Sequence, residues 1–204
     1  MHDFHIEGVG SIKGGEFGNI TIEGVGNCSG DIKADLVRIE GVFNVKGGLE
    51  ANMLDCEGVA DLYSDVRVKK IVVEGVLNAK KEAKIEAEEI ICEGVIKAGG
   101  EISADMIRAE GCIQADEIVG DNIYIDSAHY PRFVSRIFRR WRSEVRLIEA
   151  TTIELRGVSA TSVNGKDITI GPDCKIENID CNGLLYIDRS SYVRNITGAY
   201  TMKS

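Results

Sequence analysis

Seven glutamates stand at a near-constant spacing. Glu-Gly-Val begins at Glu7, Glu23, Glu40, Glu57, Glu74 and Glu93 and returns as Glu-Gly-Cys at Glu110, in steps of 16, 17, 17, 17, 19 and 17 residues. Carboxylates placed one structural repeat apart have three uses. They can bind cations, present an acidic surface to a partner, or form a solvated edge that accepts hydrogen bonds from a backbone corner. Like charges about one strand spacing apart repel by only about 1 kcal/mol per pair in water, so solvation alone tolerates the row.

Other reactive side chains are few. His2, His5 and His129 are scattered, and no Gly-x-Ser-x-Gly, Walker A or His-Glu-x-x-His string occurs. Gly8-Val-Gly10-Ser-Ile-Lys-Gly14 grazes a dinucleotide fingerprint, but its spacing is wrong and no long helical pattern follows. The same shape returns at Gly24 through Gly30, so it belongs to the repeat. The six cysteines form no Cys-x-x-Cys pair and no zinc-type Cys/His cluster. Cys56, Cys92 and Cys181 share one apolar column; Cys28, Cys112 and Cys174 fall in others. Two repeats separate Cys56 from Cys92, roughly 9–10 Å at the spacing of stacked strands, which is too far for a disulfide. The expectation is buried, reduced thiols, with no catalytic residue, cofactor, metal site or small-molecule substrate.

A wider frame positions these residues: aliphatic-x-small-x-x-aliphatic-x-aliphatic-Glu-Gly-Val. It reads IKADLVRIEGV from Ile32, LEANMLDCEGV from Leu49, VRVKKIVVEGV from Val66, IEAEEIICEGV from Ile85 and ISADMIRAEGC from Ile102. It reappears as IEATTIELRGV from Ile148 and weakly as CKIENIDCNGL from Cys174. Apolar residues two apart indicate strand, and the period is too short for a helical repeat. A unit of ~17 residues with several short strands predicts an all-β parallel β-helix of nine to ten coils, stacked at ~4.8 Å.

Stacking turns sequence columns into ladders. The pairs Ile20/Ile22, Val37/Ile39, Leu54/Cys56, Ile71/Val73, Ile90/Cys92 and Ile107/Ala109 are expected inside, as is the column Ile12, Cys28, Val45, Leu62, Ala79, Ala98, Ala115. Glycine marks corners, where the chain bends sharply or takes positive φ. The surplus around Lys80-Lys81-Glu82 reads as a swollen turn. The valine column Val9, Val25, Val42, Val59, Val76, Val95 faces out if alternation runs through the corner, and in if the corner consumes a residue. Facing out, it would form an apolar ridge of the kind that marks a contact surface.

Composition agrees with a quiet rod. The chain has 204 residues, 33 acidic against 24 basic, 23 glycines and only two prolines. A net charge of −9 argues against a nucleic-acid binder, whose affinity rests on neutralising phosphates. No apolar run reaches the ~20 residues of a membrane span, and the first residues lack a basic-then-apolar leader. A cytoplasmic location is expected.

One segment breaks the pattern. Residues 129–146, HYPRFVSRIFRRWRSEVR, hold six arginines against one glutamate, a net of +5, and the only tryptophan. The division expected is 1–126 for the first coils, 127–147 for the insertion and 148–204 for the last coils. On a helix, Phe133, Val134, Ile137, Phe138 and Trp141 share an arc of ~140°, opposite Arg132, Arg136, Arg139, Arg140 and Arg142. Pro131 suits a first helical turn. Such a short basic amphipathic helix needs a surface: an anionic membrane, a flank of its own β-helix, or a partner subunit. Membrane contact would place the protein peripherally at the inner membrane.

The repeats IEGVGSIKGG, IEGVFNVKGGLEA and CEGVIKAGGEISA resemble those of the bactofilins, polymer-forming bacterial cytoskeletal proteins, over roughly Phe4 to Ile196 without the insertion. The resemblance implies a right-handed parallel β-helix that assembles into filaments without nucleotide, through contacts between its ends, with itself or with a closely related companion chain. Two open coil ends invite such pairing on physical grounds as well. Phe4 and Ile6 at one end, and Leu184, Tyr186, Tyr192, Val193 and Ile196 at the other, are the expected polymerisation residues. A soluble adaptor that recruits a partner through the acidic face or the insertion is the alternative. An acyltransferase or polysaccharide lyase on such a scaffold would need a catalytic histidine or longer coils with charged clusters, and neither is present.

Overall fold

A short strand followed by a corner has no hairpin partner, so its backbone N–H and C=O groups can be satisfied only by its counterpart one repeat away. The computed structural model, which describes residues 2–127 and 142–203, realises this as a parallel β-solenoid. It has about eleven turns of ~17 residues, slightly more than frame counting gave. Every strand pairing among the described residues is parallel. Ile32–Ile39 pairs with Gly15–Ile22 on one side and with Leu49–Cys56 on the other, in the register Ile22↔Ile39↔Cys56.

One turn shows how the sequence does this. In Ile32–Val45 the buried side chains are Ile32, Ala34, Val37, Ile39, Phe43 and Val45. Steps of two are strand alternation; the longer steps from Ala34 to Val37 and from Ile39 to Phe43 fall where the chain bends. All twelve residues of the paired columns expected inside are buried. The column from Ile12 to Ala98 is buried too, with Ala115 half-buried. At the swollen turn, Ala83 donates to the Lys80 carbonyl at 3.0 Å and buries its methyl group.

Glycine at the Glu-Gly corner answers to close approach rather than positive φ. The Ile22 carbonyl accepts N–H groups from both Glu40 and Gly41, at 2.9 Å each, and the Gly24 carbonyl accepts from Val42 at 2.8 Å. These bonds bring backbone so near that a Cβ on Gly41 would lie 2.0 Å from the Gly24 oxygen. Among the described residues positive φ occurs in this corner column in the bend of the last turn, at Gly198 (φ 101°), and at Gly157 (φ 65°). At Gly157 the corner is one residue shorter: Val158 pairs with Ser143 and turns inward, unlike the valines that follow Glu-Gly elsewhere.

Size matching fills the interior. In the column Gly26↔Phe43↔Ala60 the fully buried Phe43 ring occupies the space left by its two small neighbours. A Cβ on Gly26 would meet Phe43 Cδ2 at 2.9 Å. Phe43→Ala would therefore open a cavity that no adjacent side chain can fill. The expected cost is about 3–5 kcal/mol, read as a lowered urea midpoint with unchanged slope; a loss below about 1 kcal/mol would contradict this packing.

The described residues contain no helix. The basic amphipathic helix expected over 129–146 falls on 128–141, outside the described residues, except for its last positions. Ser143–Arg146 are strand, the start of Ser143–Arg156, with Ser143 and Val145 buried. The coil thus resumes five residues earlier than the Ile148 frame suggested.

Candidate functional site

The interior offers little chemistry. Among the described residues its buried polar side chains are Asp126 and Ser143. All six cysteines are free and buried. Burial pushes the Cys56 and Cys92 thiols up to about 12 and Cys112 to about 11, so they stay protonated and non-nucleophilic near neutrality. This carries a pH signature. Below pH 9 the thiols are protonated in both folded and unfolded chains and add no pH dependence. Above it the unfolded chain releases protons that the folded one keeps, so stability falls until the folded values are passed. Cys56 and Cys92 should each contribute up to about 1.4 kcal/mol per pH unit to that fall. Urea midpoints at pH 8 to 10.5 should drop less steeply in Cys56→Val/Cys92→Val; equal slopes would refute the assignment.

The corner column carries the surface features. Glu7, Glu23, Glu40, Glu57, Glu74, Glu93 and Glu110 are all exposed. Only the ends of the row have nearby cations among the described residues: Arg108 pairs with Glu110, and His5 Nε2 lies 3.6 Å from carboxylate oxygens of Glu7 and Glu23. The His5, Glu7 and Glu23 donor atoms lie within 4.8 Å of one another, but all three residues are exposed. Sequence spacing did not bring His5 to attention, since Glu23 reaches it only through stacking. The row ends at Asp126, which pairs with Arg156 in the next turn.

The valine column faces out. Phe43, Ala60, Leu77, Ile96 and Ile113, one residue later, are the inward side chains. Val9 is 85% exposed and Val25 38%, while Val42, Val59 and Val76 are half-buried by neighbouring turns. Val95 is only 5% exposed and Cys112 0%. Neither belongs to the core cluster, which includes the other five cysteines.

The insertion leaves from this corner. Gln114 pairs with Glu144, which sets Ser143 beside Ile113 and Arg142 beside Cys112. The Ser143 hydroxyl accepts the Ile113 N–H at 2.9 Å and lies 2.6 Å from the Ser127 hydroxyl. Ser127 donates in turn to the Gly111 carbonyl at 3.1 Å. Two serines thus staple the ends of the excursion, and the stack passes the insertion without losing register. Arg146, one of the six arginines counted in 129–146, is held by Asp116 at 2.9 and 3.2 Å and by Glu117 at 3.3 Å. Arg142 is exposed; Arg132, Phe133, Arg136, Ile137, Phe138, Arg139, Arg140 and Trp141 lie outside the described residues.

The expected end residues fall in the outer turns. Phe4 is half-buried with its ring edge-on to Phe17 at 5.9 Å, and Ile6 is buried against Ile22. Tyr186, Val193 and Ile196 are half-buried, and Tyr192 is 57% exposed. Thr201 stacks on Leu184, placing the half-exposed Leu184 one turn in from the edge. Met202, which the sequence reading did not single out, stands there instead at 55% exposure. Comparison with family models, with curated proteins and with solved structures gives no match.

Proposed function

We propose that this chain is a non-enzymatic scaffold that assembles into filaments by end-to-end stacking of its solenoid, with copies of itself as the principal partner. The carrying observation is the state of the two outer turns. His2–Ile6 pairs only with Gly15–Ile22, and Tyr192–Thr197 only with Lys175–Cys181, among the described residues. Each leaves a strand edge beside apolar side chains, Phe4 at one end and Tyr192, Val193 and Ile196 at the other. An open parallel edge is a template for another strand, and the inward columns of a second copy would extend the same core. The resemblance of the repeats to bactofilins supports the same reading.

A second reading, an adaptor that recruits a basic partner, draws on the exposed run Glu40, Glu57, Glu74, Glu93, which has no cation beside it among the described residues. Electron microscopy and sedimentation of the purified chain separate the two. Filaments that pellet without nucleotide support the scaffold; monodisperse particles at every concentration and salt tried would reject it.

A further inference from the structure

The acidic row meets an imidazole at its first corner. Two residues before the other glutamates stand Thr21, Arg38, Asp55, Val72, Ile91 and Arg108. None of those side chains offers a nitrogen lone pair; His5, two residues before Glu7, does. Stacking brings in a third donor. His5 pairs with Thr21 and Ile6 with Ile22, and the Glu23 N–H donates to the Ile6 carbonyl at 2.9 Å. The Glu23 carboxylate therefore stands about one strand spacing from Glu7. His5 Nε2 lies 3.6 Å from Oε1 of Glu7 and 3.6 Å from Oε1 of Glu23, and the three donor atoms lie within 4.8 Å of one another.

We propose that His5, Glu7 and Glu23 bind a divalent transition-metal ion of the Zn2+ class through one imidazole nitrogen and two carboxylate oxygens. Ligand atoms ~2.0–2.2 Å from a tetrahedral zinc are ~3.3 Å apart, so both imidazole–carboxylate separations are already close to the required value. Closing the remainder asks only for rotation of exposed side chains, because the ladder fixes the backbone that carries them. The donor set selects the ion. Imidazole with carboxylate suits Zn2+ and its neighbours, whereas Ca2+ and Mg2+ favour shells of oxygen alone. Charge agrees, since a dication neutralises two carboxylates that otherwise repel across one turn. Three protein ligands leave a further position for water, which the exposure of this corner permits. Glu40 and Glu57 repeat the carboxylate spacing without the nitrogen, so the nitrogen is what distinguishes the site. The ion would clamp the outermost described turn to the next, beside the strand His2–Ile6 that is paired on one side only among the described residues.

Calorimetric titration of the full-length chain, stripped with chelator, should show one Zn2+ bound per chain. His5→Gln and Glu23→Gln should each weaken binding at least ~10-fold, since losing even a hydrogen-bond partner of a ligand costs that much. Glu57→Gln and His129→Gln should leave binding unchanged, and excess Ca2+ should not displace the ion. His5, Glu23 and Glu57 are exposed, so circular dichroism should be the same in those variants. Absence of Zn2+ uptake, or undiminished affinity in His5→Gln, overturns the proposal. Binding of several ions that Glu57→Gln lowers as much as Glu23→Gln, or release by Ca2+, would make the row a diffuse counterion surface and overturns it too. Thiols can also take zinc once a chain unfolds, so a second measurement reports position. Hydrogen exchange of the amides in residues 2–25 should slow with Zn2+ in the intact chain and not in His5→Gln. Unchanged exchange there despite zinc uptake would place the ion elsewhere and likewise rejects the assignment.

Discussion

Alanine at Gly58 is expected to destabilise the fold by more than about 4 kcal/mol, a loss at the exceptional end for one substitution, while alanine at Gly8 is expected to be harmless. The two glycines occupy the same sequence motif. At Gly58 a Cβ would stand 2.0 Å from the Gly41 oxygen and 2.5 Å from the Glu40 oxygen. The Gly41 oxygen cannot retreat cheaply, because Val59 donates to it at 2.8 Å, and Gly58 is itself held by donating to the Ile39 carbonyl at 2.8 Å. Moving one corner would disturb the ladder above and below it. Gly8 belongs to the first described corner, and a Cβ there would meet nothing within 4 Å. Its φ is not positive, so alanine should be neutral or stabilising by about 0.5 kcal/mol through a less flexible unfolded chain. Thermal unfolding should show Gly58→Ala falling by more than about 10 °C at 2–4 °C per kcal/mol for a chain of this size. Equal effects at the two positions would mean that the motif, and not the stacking contact, sets the requirement.

That contrast marks what a sequence can carry about such a molecule. Alternation at Val37/Ile39 or Leu54/Cys56 is local, so the inward columns and the stacking were readable from one-dimensional spacing. The reason for the corner glycines was not, since sharp bending and positive φ are properties of one residue while the decisive contact is with the preceding turn. The valine parity was open for the same cause. Glu-Gly-Val keeps Val42 outward, whereas Arg156-Gly157-Val158 drops a residue and turns Val158 inward, and only φ at the glycine distinguishes them. The insertion's edges were misjudged because Ser143 and Val145 continue an inward column only when aligned with Ile113 and Ala115, thirty residues earlier. The grouping of His5 with Glu7 and Glu23 likewise exists only between turns.

Arginine at Phe4, or separately at Ile196, is expected to abolish sedimentable polymer while leaving the solenoid folded. Phe4 packs by its edge on Phe17 and pairs with Ile20, and Ile196 pairs with Ile179; each is half-buried in an outer turn whose further edge is unpaired among the described residues. In a single molecule an arginine at either place can reach water. Once a second end covers it, the charge is trapped without a partner, at a cost on the order of 2–5 kcal/mol. That weakens end-to-end association roughly 30- to several-thousand-fold. Circular dichroism should be unchanged and pelleting lost. Gly8→Ala adds a geometric test, because it is silent in the single molecule. If the meeting coil continues the corner column, its carbonyl will take the position that the Gly8 oxygen takes toward Gly24, where a Cβ would fall at 2.0 Å. Gly8→Ala should then block assembly as completely as Phe4→Arg. Polymer lost in Phe4→Arg but retained in Gly8→Ala would mean that the ends meet without extending the column. Polymer retained in all three would remove end contact as the mode of assembly.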